Sequence, residues 1–250
     1  MNYCGFHILG NILSFIYIII DMAKINLETE LRFKGAMKSL GFRKTSRYFE
    51  KRVNDVSQKI MFGHATMGEH HVRYYSLTYS IEFNSITCAA EEMGVMVYAL
   101  GGLIDYIMPP HKGLMEWRLS EDDTDEYYLR MIDDILSKIR QFVLPFMEKY
   151  ITIEQFLEGV EGGCFAQLSL DKKTVPIAYY LIGEKQKAFD YIAETLARYE
   201  RDAAPVPFHD RFVTDEYEKD VYHFNQNGDL LVYQDFAEKF TNWVNQRANR

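Results

Sequence analysis

The stretch Tyr75-Ser76-Leu77-Thr78-Tyr79-Ser80-Ile81-Glu82-Phe83 has an apolar residue at every odd position and a polar one at every even position. Successive side chains of a strand point to opposite faces, so this period of two calls for an extended segment with one buried face. A helix would scatter the same residues around its circumference. Shorter versions of the pattern flank it. They run from about Arg47 to Val53, from about Val56 to Phe62, and from Met115 to Leu119, where Trp117 falls on the buried phase. Asn54-Asp55 between the first two is a turn signal. Gly63 to His71 reads as a polar connector. The expectation is a four-stranded antiparallel sheet with one apolar face.

Helical spacing dominates the rest of the chain. Leu27 to Leu40 carries apolar residues near one face, and Gly41 follows as a stop. Thr87 to Leu100 is read as a second helix ended by Gly101-Gly102. Asp125 to Tyr150 is the longest, with Tyr128, Met131, Ile132, Ile135, Ile139, Phe142 and Phe146 at a spacing near 3.6. Pro145 is expected to bend or end it. Thr152-Ile153-Glu154-Gln155 is a capping box, so a new helix starts there and stops before Gly162-Gly163. Helices are also read from Thr174 to Gly183, from Glu184 to Arg201 and from Asp229 to Asn245, with a linker at Pro205-Val206-Pro207. The pair from Ala178 to Tyr199 resembles one tetratricopeptide-type hairpin, but no second copy follows it. Together these segments predict an α+β protein. Helices pack on one face of the sheet over residues 22–165, and an all-helical part over residues 166–250 shares the core.

Residues 1–21 stand apart as an apolar leader. Phe6 to Ile20 lacks the basic residues that open a secretory signal. It includes His7, Asn11 and Ser14 and falls short of the roughly 20 apolar residues of a membrane span. Met22-Ala23-Lys24 opens directly onto the first helix. The expected start of translation is therefore Met22 rather than Met1. Membrane association is expected only if residues 6–20 form a genuine anchor.

Charge narrows the partners. The net charge is −8, yet Lys24 to Lys59 holds ten Lys or Arg against four Asp or Glu. The remainder is thus strongly acidic. Phosphate contacts need Lys and Arg, so general nucleic-acid binding is not expected. The three cysteines, Cys4, Cys88 and Cys164, are widely spaced and include no CxxC. That pattern fits reduced thiols in a cytoplasmic protein, with Cys88 and Cys164 as buried structural residues.

Chemistry-bearing motifs are sparse. His64, Glu69, His70 and His71 are weak candidates for a metal site, because imidazoles and a carboxylate can bind zinc. The HxxxH and HExxH spacings are absent, and adjacent His70 and His71 point apart in an extended chain. A solvated loop is the plainer reading. No GxSxG surrounds a serine, and neither GxxxxGK[ST] nor GxGxxG occurs, so no catalytic residue and no cofactor is expected. The acidic run is more informative. Glu121, Asp122, Asp123, Asp125 and Glu126 fall within seven residues at the start of a helix. The helix dipole favours acids there. The surplus could meet a basic protein partner and raise its association rate.

The order of a helix, Leu40-Gly41-Phe42-Arg43-Lys44, an aromatic strand, Val56 to Phe62, a long alternating strand, a helix, the Trp117 strand and a long helix ending Leu144-Pro145-Phe146 resembles a bacterial family. That family is known only as the domain of unknown function number 4304. The resemblance covers residues of about 27 to 165, and the apolar first 21 residues depart from it. It implies no catalytic residues. Some small acidic domains of this kind look like immunity proteins, which implies a non-enzymatic module that binds a basic protein. The alternative is an unrecognised hydrolase or small-molecule-binding protein with a site between the sheet and the C-terminal helices.

Overall fold

A computed structural model describes residues 32, 34–46, 48–67, 72–109, 117–120, 122–165, 168, 170–203 and 216–249, with backbone alone for 64–67 and 216–227. The leader over residues 1–21, Cys4, the Pro205–Pro207 linker, Glu69, His70, His71 and Glu121 lie outside the described residues. The fold is α+β with an antiparallel sheet. The described residues pack as two compact units. One holds the residues up to Val53, Ser57–Ser80 and Gly101–Lys149; the other holds Asn54–Val56, Ile81–Leu100 and the chain from Tyr150 on. These borders cross the sequence-based ones at 22–165 and 166–250.

The sheet has six strands rather than the expected four. They are β1 (Arg43–Lys44), β2 (Phe49–Val53), β3 (Val56–Met67), β4 (Val72–Phe83), β5 (Leu100–Leu103) and β6 (Trp117–Leu119). The order is β1-β2-β3-β4-β5, and β6 also pairs with β4. β6 runs antiparallel along its start, with Tyr75 opposite Trp117. β4 behaves as its alternation requires: Tyr75, Leu77, Tyr79, Ile81 and Phe83 are all buried, while the residues between them are half-buried. β3 extends to Met67, into the polar connector expected from Gly63 to His71. Backbone pairing with so long a neighbour sustains a strand that side-chain polarity alone does not indicate.

The extra strand β5 corrects the second helix. That helix is Asn84–Glu92, and the chain reverses at Gly94, whose φ is +65°. Gly101 lies inside β5 instead of stopping a helix. A Cβ there would come within 2.1 Å of the Tyr79 carbonyl oxygen, so only glycine lets the strands approach so closely.

In the first unit, residues 34–39 are helical (α1), and Met37 is fully buried. Asp125–Lys138 is α3, following the Asn84–Glu92 helix as α2. It buries Tyr128, Met131, Ile132, Ile135 and Leu136, a stripe worth about 1.5–3 kcal/mol per fully buried side chain. A wider π turn over Ile139–Val143 then leads into α4 (Leu144–Lys149). Pro145 explains the widening, since it has no N–H to donate and its ring crowds the preceding turn. The long helix is therefore reshaped at this point but continues through it. α4 meets the buried face of the sheet at two points. Gln58 donates its side-chain amide to the Met147 carbonyl at 2.9 Å. Tyr79 stands edge-on to Phe146, with ring centres 5.2 Å apart.

In the second unit, α2 has no capping side chain of its own. Asp55 supplies one from the β2–β3 turn. It accepts from the Ser85 amide at 3.0 Å and from the Ser85 hydroxyl at 2.5 Å. Its carbonyl takes the Asn84 amide at 2.8 Å. The capping box forms as expected at α5 (Ile153–Glu161). The Gln155 amide donates to Thr152 at 3.3 Å, and the Gln155 side chain accepts from the Ile151 amide at 3.1 Å. α6 (Thr174–Leu181) and α7 (Lys185–Ala203) form a hairpin around Gly183, whose φ is +89°. α8 (Glu216–Ala248) completes the helical part and buries Tyr233, Phe236, Phe240 and Trp243.

Candidate functional site

The acidic run divides into used and unused carboxylates. Thr124 caps α3 by accepting from the Tyr127 amide at 3.2 Å. Asp123 accepts from the Ser120 amide at 2.5 Å and so closes the turn before the helix. Glu126 pairs with Arg130 at 3.3 Å, one turn along. Asp122 and Asp125 are exposed and form no ion pair with a described residue.

Helix geometry adds two residues that the sequence reading missed. Leu129 and Asp133 follow Asp125 at steps of four, so the three form one stripe along α3. Leu129 is 40% exposed, and Asp133 is exposed with no ion pair among the described residues. The neighbouring Asp134 differs. It accepts from the Trp117 indole at 2.8 Å and also pairs with Lys138. Burial works to raise the Asp134 pKa, but the hydrogen bonds from Lys138 and Trp117 outweigh it and hold the carboxyl below its usual range. The spacing from Asp125 to Asp133 was visible in the sequence, but which acids would find partners was not.

The metal candidates are His64, Glu69, His70 and His71. His64 is known only by its backbone in β3, and Glu69, His70 and His71 lie outside the described residues. Among the described residues, no group of three or more His, Cys, Asp or Glu could hold a metal ion. Cys88 and Cys164 are exposed, contrary to the expectation of burial. Each sits on the outward side of its local turn, a placement that apolar character alone does not determine. Among the described residues, no helix is long and apolar enough to cross a membrane.

Among the hollows of the second unit, two lie beside its strand and turn elements. A cavity of about 140 Å³ lies between the end of β4, α2, α5 and α6, lined by Ile81, Phe83, Ile86, Leu100 and Phe156. Glu82, Thr87 and Thr174 make its lining as polar as apolar, and its volume is below that of ordinary small-molecule sites. A larger cleft of about 410 Å³ is bounded by Tyr98, Asp171, Lys172, Tyr199, Asp229 and Tyr233. Asp171 organises one wall. It accepts from the Lys173 amide at 3.0 Å and the Tyr98 amide at 3.2 Å, and it pairs with the Lys173 ammonium at 3.5 Å. Lys173 also donates to the Met96 carbonyl at 2.6 Å.

Lys172 is different. It is half-buried and pairs with no carboxylate among the described residues. Burial and then the positive charge of Arg198 lower its pKa. The rest of the lining is partly aromatic: the half-buried Tyr199 ring lies 5.5 Å from the buried Tyr233 ring, and the Tyr233 hydroxyl donates to the Lys172 carbonyl at 3.5 Å. Burial raises the pKa of both phenols, so both hydroxyls remain protonated at neutral pH.

Comparison of the chain with protein-family models, curated proteins and solved structures finds no match.

Proposed function

We propose that this chain is a non-enzymatic, cytoplasmic binding module that engages a basic protein segment through the exposed face of α3, as an immunity or regulatory partner would. Asp133 carries the reading. The helix dipole accounts for acids in the first turn, but it falls off within that turn and gives Asp133 nothing. Asp133 is nonetheless exposed, lacks an ion pair among the described residues, and lies in line with Asp125 and the exposed Leu129. A stripe of acid, leucine and acid offers a basic segment both charge complementarity and a small apolar contact. The exposed Asp122, in the turn before the helix, adds to the acidic field.

The wider architecture is consistent with this role. The reading takes the helices to cover one face of the sheet, which the alternating burial of β4 supports. The segment order over residues of about 27 to 165, with its resemblance to the domain of unknown function number 4304, supports it too.

The test is retention of a partner from a host extract by the full chain, compared with the double variant Asp125→Lys and Asp133→Lys. At Asp133 such an exposed substitution changes stability by about 0.5 kcal/mol or less, and at Asp125 the helix dipole adds about 1 kcal/mol, so the fold is expected to survive. The wild type should hold a basic protein near equal stoichiometry and release it in salt. The variant should lose it, whereas the control Glu194→Lys on α7 should keep it. Equal retention by all three would refute the α3 assignment.

A further inference from the structure

We infer that the cleft between the turn at Asp171–Lys173, α7 and α8 is a binding site for a small organic anion with a flat apolar body, held at Lys172. The site lies wholly in the second unit and does not depend on the α3 reading.

The argument begins with the two lysines of the turn. Lys173 is fully engaged, by Asp171 and by the Met96 carbonyl. Lys172 has no carboxylate among the described residues, although it is half-buried and feels the charge of Arg198. Removing an ammonium partly from water without an opposite charge is unfavourable, and an arriving anion would relieve both burdens. The Asp171 carboxylate does not serve this purpose, because two backbone amides and Lys173 already occupy it.

The shape of the cleft selects the rest of the ligand. A volume of about 410 Å³ is within the range of small-molecule sites and too small for a folded partner. The half-buried Tyr199 ring, inclined at 58° to the buried Tyr233 ring against it, presents flat apolar surface. Val232 is 58% exposed and Tyr98 is 63% exposed, so the rim is also apolar and open. Asp229 stands on the same lining and disfavours a second negative charge near the mouth. A metal cation is disfavoured by Lys172 and Arg198. A nucleic-acid strand would need more cations than these two. What remains is a compact carboxylate or phosphate monoester on a ring, the charge at Lys172 and the ring against Tyr199.

The experiment titrates the full chain with benzoate, phenyl phosphate and inorganic phosphate, followed by calorimetry and by NMR of the Lys172 side chain. Saturable one-site binding of benzoate or phenyl phosphate, with a shift at Lys172, is the expected result. Lys172→Gln should weaken it about tenfold or more, the loss typical of a charged hydrogen bond. Lys187→Gln should leave it unchanged, because Lys187 is paired with Glu161 at 3.2 Å on another face. Tyr199→Ala should weaken the ring ligands but not inorganic phosphate. Absence of saturable binding by either ring ligand would overturn the site. So would a Lys172→Gln variant that is folded by thermal melting and binds like the wild type. Inorganic phosphate binding as tightly as phenyl phosphate would overturn the flat-body requirement.

Discussion

The two tryptophans of this chain solve the same problem in opposite ways. Each is largely buried, and each donates its indole N–H at 2.8 Å to a carboxylate that a cation also holds. In the first unit the acid and cation share a helix. Asp134 and Lys138 lie one turn apart on α3, and Trp117 reaches them from the short strand β6. In the second unit the tryptophan and cation share a helix. Trp243 and Arg247 lie one turn apart on α8, and Glu92 comes from the end of α2 with Arg247 at 2.6 Å. Arg247 also lies over the Trp243 ring, 4.4 Å from its centre. A buried indole needs a polar partner, and a carboxylate near the surface keeps its charge if a cation attends it. The helix supplies one pair by its i,i+4 spacing, and the third member must come from a distant element. Both triads therefore tie elements that are distant in the sequence.

The largest expected effect separates the two by packing. Trp243 stands among rings, with Tyr180 at 4.8 Å and Phe240 at 6.0 Å. Trp243→Ala should cost about 3–5 kcal/mol, measured by urea denaturation. A loss under about 1 kcal/mol would mean that the ring cluster does not hold the second unit together. A smaller effect isolates the indole hydrogen bond. Trp117→Phe and Trp243→Phe keep most of the bulk and leave each carboxylate with its cation, so each should cost about 1–2 kcal/mol. A much larger cost at one site would show that the triads are not equivalent.

The smallest effect concerns pH. Asp134 has its folded pKa below the unfolded value, so its contribution to stability is full above the ordinary aspartate range. That contribution fades as pH falls through the lower, folded value. The Asp134 side chain is 46% exposed, and solvent screening limits the effect to less than about 1 kcal/mol. Asp134→Asn should therefore narrow the stability difference between neutral and acid pH relative to wild type, as read by thermal melting. An unchanged acid dependence would remove Asp134 from the account.

The legible and illegible parts of the chain differ in range. β4 was plain because its signal is a period of two within nine residues, and α5 because its cap lies three residues from its partner. β5 was misread because a Gly-Gly pair stops a helix in one setting and admits a close strand in another. Only the position of the Tyr79 carbonyl decides between them. The α2 cap was invisible because Asp55 lies some 30 residues away and reads locally as a turn residue. The π turn could be anticipated only as a disturbance at Pro145. The candidate face followed the same rule. The acids from Asp122 to Glu126 announced themselves, but the engagement of Asp123 and Glu126, and the alignment of Leu129 and Asp133 with Asp125, depend on the folded helix. Lys172 gave no signal at all, because its isolation beside Arg198 is a property of packing.

The most direct measurement is carboxyl footprinting of the chain with and without the protein it retains. The account predicts that Asp122, Asp125 and Asp133 lose labelling in the complex, while Glu194 and Asp202 on α7 label as before. Unchanged labelling of Asp125 and Asp133 in a saturated complex would contradict it.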